Sequence, residues 1–132
     1  MPLATQEQTP LVEQTTPGFR LDWERLSPTD RAAVRQALDR GYAVLRDNRR
    51  AFFAKVRRPP SIQLKSGFTS SLYSLRAGRD IRVIIAVDDD PVFGQTLITL
   101  FRVVPQDELE RSFRSIARVL YGNQIHRANG AR

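Results

Sequence analysis

The stretch Ser71–Val104, SLYSLRAGRDIRVIIAVDDDPVFGQTLITLFRVV, decides the fold. Its three β-type runs, Ser71–Arg76, Ile81–Asp88 and Gln95–Val104, are rich in Val, Ile, Leu and Thr. Ala77-Gly78-Arg79-Asp80 forms one turn between them, and Asp89-Asp90-Pro91 with Gly94 forms the other. The simplest pairing is a three-stranded antiparallel meander. Arg76, Arg82 and Arg102 interrupt these strands. A guanidinium there costs burial energy unless it faces water or an anion, of which phosphate is the obvious candidate. If the second hairpin is centred near Val92, Arg82 and Arg102 lie opposite each other on one face. A slip of one residue would send them to opposite faces.

Working outward toward the N-terminus, residues 1–18 are rich in Gln, Thr and Pro and read as a flexible tail. Phe19-Arg20-Leu21-Asp22-Trp23 alternates like a short first strand with Trp23 as a core anchor. Ser27-Pro28-Thr29-Asp30 is a helix start: Ser accepts from first-turn amides, Pro suits the first position and Asp complements the positive helix end. Val34, Leu38, Tyr42 and Leu45, then Phe52, Phe53 and Val56, make an apolar stripe, with Asp47-Asn48 a place to break it into a helical hairpin. Pro59-Pro60 ends it, and the exposed side carries Arg46, Arg49, Arg50, Lys55, Arg57 and Arg58. After the meander, Pro105, Asp107 and Glu108 open a last helix with Leu109, Phe113, Ile116, Ala117 and Leu120 on its apolar face and Gly122 at its end. Residues 123–132 read as a basic tail. The expectation is a single α+β domain over 19–122, in which helices cover one face of the sheet.

At 132 residues and a formal charge of +7, the chain suits one domain with an anionic partner, whether nucleic acid, acidic protein or anionic surface. The absence of cysteine removes disulfides, thiolate metal sites and Cys nucleophiles. No apolar run is long enough to span a bilayer and the N-terminus lacks signal-peptide features, so a soluble cytoplasmic protein without a membrane partner is expected. No cofactor is implied. The Arg76–Arg79 turn is not a phosphate-cradling glycine loop, and a single His leaves no convincing Ser/His/Asp set. Asp88-Asp89-Asp90 lacks the ligand spacing of a calcium loop and reads as a hairpin turn, so no metal site is assigned. His126 reads as a surface residue, and the phase of Phe52 and Phe53 makes one of them core rather than a base-stacking platform. The arginines also have a plain reading, as sheet-edge gatekeepers or as partners of Asp88, Asp90 or Glu108.

The order of elements, the run LYSLRAGRDIRVIIAVDDD and the final LFRVV resemble the RelE/ParE superfamily of small bacterial toxins over roughly Phe19 to Val104. In its ribosome-dependent branch, a basic sheet face holds messenger RNA and the ribose 2′-hydroxyl attacks its own 3′ phosphate without metal. The resemblance implies that Arg82 and Arg102 clamp the scissile phosphate, with Lys65, Arg76 and Arg79 on neighbouring phosphates. Arg49, Arg50 and Lys55 of the helical region join the nucleic-acid-binding set. An acidic antitoxin would cover the basic sheet, and the partner of action would be RNA or the ribosome. The chain departs from the pattern where the last strand runs into Val103-Val104-Pro105 instead of a His or Tyr. The proton-transfer group is open among Tyr73, Tyr121, Lys65, Glu108 and His126. Two non-nucleolytic alternatives follow: a binding module of toxin-like fold, and a gyrase inhibitor of the ParE branch. The last helix could cover the sheet intramolecularly or offer a homodimer surface.

Overall fold

The strand Ile81–Asp90 (β3) is the axis on which the other elements assemble, and its residue alternation explains why both of its faces are covered. Val83, Ile85 and Val87 point to one side and Ile84 and Ala86 to the other, and all five are buried. The computed structural model describes residues 9–58 and 71–122. In chain order these form β1 (Leu11–Thr15), α1 (Pro17–Arg25), α2 (Pro28–Asp47), α3 (Arg49–Lys55), β2 (Leu72–Arg76), β3, β4 (Gln95–Pro105) and, after a single 3-10 turn, α4 (Leu109–Tyr121). The sheet order is β1-β4-β3-β2, with β1 parallel to β4 and the other pairs antiparallel.

The α+β class, the meander, the helical hairpin and the last helix are as the sequence predicts. Ser27 caps α2 by accepting from the Asp30 N–H at 3.1 Å. Asn48 both ends α2 and caps α3, accepting from the Ala51 N–H at 3.1 Å, which is why the helical stripe breaks at Asp47-Asn48. Val34, Leu38, Tyr42, Leu45, Phe52 and Val56 are buried against Val83, Ile85, Ile98 and Leu100. No helix among the described residues is long and apolar enough to cross a membrane.

Three expectations are overturned. Residues 11–15 are a strand, within the segment read as a tail, and residues 1–8 lie outside the described residues. Only Leu11 and the backbone ladder engage the sheet core, so β1 has no apolar signature of its own. Its order comes from pairing with Thr96–Leu100 and from Glu13, which accepts from Arg35 at 2.8 Å and from the Tyr42 hydroxyl at 2.6 Å. Secondly, Phe19–Trp23 is helical. Thr16 caps α1 by accepting from the Phe19 N–H at 3.1 Å and Pro17 supplies the first position. Phe19 and Trp23 then stack as an i,i+4 pair at 6.0 Å, while Leu21 is exposed. Apolar residues at steps of two and of four coincide in a five-residue window, so alternation alone misassigned it. Thirdly, helices cover both sheet faces: α2 and α3 on one, and α4 on the other through Leu109, Phe113 and Ala117 against Leu72, Ile84, Ala86 and Val104. Gly122 follows α4 in an ordinary right-handed conformation, not the left-handed one of a glycine stop, and residues 123–132 lie outside the described residues.

Candidate nucleic-acid interface

The strand register places the arginines. From Asp90↔Gln95 to Ile85↔Leu100 the β3–β4 ladder runs without interruption; then Ile84 pairs with Arg102, leaving Phe101 as the extra residue of a β-bulge. Without the bulge Arg82 would face Val103, and Arg82 and Arg102 would point to opposite sides. With it, Arg82 pairs with Val104 and Arg102 with Ile84. The two arginines share the α4 face, one ladder step of two residues apart rather than directly opposite as the sequence predicts.

The residue directly across from Arg82 is Arg76 of β2. Like charges opposite each other on a ladder repel, and neither guanidinium has a carboxylate partner among the described residues. Arg76 is exposed and donates through Nε to the Gly78 carbonyl at 3.1 Å. Half-buried Arg82 donates to Gln106 Oε1 at 2.6 Å and to the Ile81 carbonyl at 3.1 Å. Arg79 is exposed in the adjoining turn. A further cation joins this face: Arg57 exchanges both backbone bonds with Ser74 at the outer edge of β2, at 3.1 and 2.8 Å. A bonded antiparallel pair shares a side, so Arg57 stands on the α4 face beside a cavity of about 140 Å³ lined also by Gln106, Leu109, Glu110 and Phe113. The sequence reading grouped Arg57 with the exposed helix side. Its bridge to Ser74 spans 17 positions and has no local signature.

Arg102 is engaged differently. Asp22 of α1 accepts from its Nε at 2.6 Å and its Nη2 at 3.2 Å, and also from the Val103 N–H at 2.8 Å. The hydrogen bond to Asp22 raises the Arg102 pKa above its already high ordinary value, so it is a permanent cation. Asp22, not Asp88, Asp90 or Glu108, is its ion-pair partner, because the segment read as a strand is a helix that turns Asp22 toward the bulge.

The remaining predicted cations lie elsewhere. Arg49 pairs with Asp89 at 3.3 Å and lies over the Phe53 ring. Asp89 is seven residues along β3 from Arg82, roughly 23 Å at ~3.3 Å per strand residue. Arg50 is exposed on α3, and Lys55 borders a groove between α2, α3 and the end of β2. Lys65 lies outside the described residues, as does His126. Of the proton-transfer candidates, Tyr73 packs with Phe53 on the α2 face, opposite to Arg82. The Tyr121 hydroxyl accepts from the Ser71 N–H at 3.0 Å, and Glu108 stands near Arg111. Tyr73, Tyr121 and Glu108 make no hydrogen bond or ion pair with Arg82, which bonds to Gln106 and to the Ile81 carbonyl. The cluster can bind a phosphate by charge and by forked N–H donors, and Glu110 lines the cavity beside Arg57.

No family model matches the chain, and no curated protein matches it. Two solved structures are similar. One is the RelB-RelE antitoxin-toxin complex from Methanococcus jannaschii, at 17% identity over 76% of this chain and 98% of that chain, with a TM-score of 0.44. The other is the toxin-antitoxin complex RelBE2 from Mycobacterium tuberculosis, at 16% identity over 76% of this chain and 97% of that chain, with a TM-score of 0.41.

Proposed function

We propose that this chain is the toxin partner of a cytoplasmic toxin–antitoxin pair and acts on RNA through the arginine end of its sheet. The observation that carries this reading is the cross-strand pair Arg76–Arg82, two like charges on one face with no carboxylate partner among the described residues and with Arg57 beside them. A phosphodiester bridging the pair removes the repulsion and satisfies the fork of donors. Arg79 extends the grip from the turn, and Lys65 is a further phosphate contact in this reading. Arg102 acts indirectly, by fixing the end of β4 through Asp22. Cleavage would follow the metal-independent route of the resembled family: the 2′-oxygen loses its proton and bonds to the adjacent phosphorus, the P–O5′ bond breaks, the departing 5′-oxygen takes up a proton, and a 2′,3′-cyclic phosphate and a 5′-hydroxyl result, with arginines holding the developing negative charge. An acidic antitoxin would bind the same cations with fast, salt-sensitive association.

A second reading, non-catalytic binding of RNA or an acidic protein, is favoured by one observation: β4 leads into Gln106, whose neutral amide oxygen, not a carboxylate, accepts from Arg82 at 2.6 Å. Expression in a bacterial host, followed by growth and mapping of mRNA 5′ ends, separates the two. Arrest with new cleavages that disappear in Arg82→Ala and in Arg76→Ala is the expected result. RNA binding without cleavage favours the second reading, and full toxicity in both variants refutes the role given to this pair.

A further inference from the structure

At the β3–β4 turn, Val92 is 81% exposed and Phe93 76% exposed. They are held outward by a built turn. Asp90 Oδ1 accepts from the Val92 N–H at 3.1 Å and the Phe93 N–H at 3.3 Å, Gln95 Nε2 donates to Asp90 Oδ2 at 3.3 Å, and Gly94 takes the left-handed φ of 62°. The ordering entropy of this turn is met within the hairpin, so the two apolar side chains form a fixed knob rather than a floppy tip. Two ladder pairs back from the turn, opposite Leu97, Asp88 is exposed and without an ion pair among the described residues. In a chain of net charge +7, the tip is locally acidic and apolar.

A complementary feature lies at the other end of the sheet. The groove between α2, α3 and the end of β2 has a volume of about 470 Å³, an apolar floor that includes Ala37, Val44 and Leu75, and Arg40 and Lys55 at its border. Gly41 keeps it deep, since a Cβ there would stand in ordinary contact with Phe52 and Leu75, at 3.5 and 3.6 Å. Neither cation makes an ion pair among the described residues. Ten-residue β3 separates the groove end from the tip by roughly 30 Å at ~3.3 Å per residue, so a copy cannot insert its own tip into its own groove.

We infer that the groove receives the Val92–Phe93 tip of a second copy of this chain, with Asp88 facing Lys55. The knob supplies an aromatic anchor of the kind that dominates interface energetics, and the groove supplies an apolar floor of suitable size. Asp88 on the tip strand is opposite in sign to Arg40 and Lys55 at the groove, which sets orientation and makes the contact salt-sensitive. Because tip and groove are different surfaces, the contact is head-to-tail and continues from copy to copy unless an antiparallel pair closes it. This assembly does not rest on the RNA-directed reading, and its tip lies at the far end of β3 from Arg82.

Sedimentation velocity on the full chain tests it. Wild type is expected to gain mass with concentration and to lose it on adding salt. Phe93→Ser removes the knob, and Lys55→Glu reverses the groove border; each alone is expected to stay monomeric. An equimolar mixture of the two restores association, because one retains the groove and the other the tip, and Asp88→Lys combined with Lys55→Glu in one chain restores it too. The mixture shows that neither variant has merely misfolded. A wild type that stays monomeric at every concentration, or association that survives Phe93→Ser unchanged, overturns the inference.

Discussion

Replacing Asp22 by Ala removes a carboxylate whose side chain is 10% exposed and which accepts three hydrogen bonds, two from Arg102 and one from the Val103 N–H. The two kinds of bond contribute differently. Arg102 is 39% exposed, so its ion pair lies between a surface pair at up to ~1 kcal/mol and a fully buried one, about 1 to 1.5 kcal/mol. A backbone N–H bonded to a charged acceptor is worth about 1.5 kcal/mol or more, and its loss leaves the amide next to the bulge unpaired. Asp22→Ala should therefore cost about 2.5 to 3 kcal/mol. Arg102→Met keeps the aliphatic stem and leaves Asp22 bonded to Val103, so it should cost only the first part. The assay is urea denaturation of both variants and the double variant, with hydrogen exchange at the Val103 amide. The coupling energy should be about 1 to 1.5 kcal/mol, and the Val103 amide should lose protection in Asp22→Ala but not in Arg102→Met. If Arg102→Met is as destabilising as Asp22→Ala, or Val103 keeps its protection when Asp22 is gone, the account of Asp22 as a clamp on the bulge is wrong.

Glu13 gives a pH prediction. Its hydrogen bond from Arg35 holds the carboxyl below its ordinary value of 4.5, overcoming the opposing effect of burial, with the Tyr42 hydroxyl assisting. A lowered folded-state value means stabilisation that is present above 4.5 and is lost as pH falls through the folded value. Glu13→Gln should therefore flatten the acid limb of the stability curve in denaturant melts, and an unchanged limb would exclude Glu13 as its source. Phe113 is 1% exposed in the cluster beneath α4. Phe113→Ala should cost about 3 to 5 kcal/mol and deprotect α4 amides in hydrogen exchange, whereas a cost under ~1 kcal/mol would mean that α4 is only loosely seated.

The parts of the molecule that were legible in the sequence are those whose signals are local. Ser27, Asn48 and the three- and four-residue spacing of Val34, Leu38, Tyr42 and Leu45 act within one or two helical turns, so α2 and α3 could be read with their break in place. The strands of the meander could be read because Gly78 and the Asp90–Gly94 turn punctuate alternating apolar runs. That Arg76 and Arg82 belong to neighbouring strands is equally legible, whereas which arginine stands directly across from Arg82 is a matter of register and is Arg76.

Tertiary structure alone decided the rest. β1 is polar and mostly exposed, and it is a strand only because β4 offers it a ladder some 85 residues away and Arg35 and Tyr42 hold Glu13. The same is true of Arg57, brought to the arginine face by one bridge to Ser74, and of Asp22, which locks Arg102 across 80 positions. The bulge at Phe101 sets which arginines share a face, and it is held from distant parts of the chain, by Asp22 on the Val103 N–H and by the Thr16 hydroxyl, which donates to the Phe101 carbonyl at 2.9 Å. Caps, turns and apolar periodicity act between near neighbours and are written in the order of residues. Register and ion-pair partners depend on which surfaces meet once the chain has closed, and so the chain's charge was set by sequence while its arrangement was set by the fold.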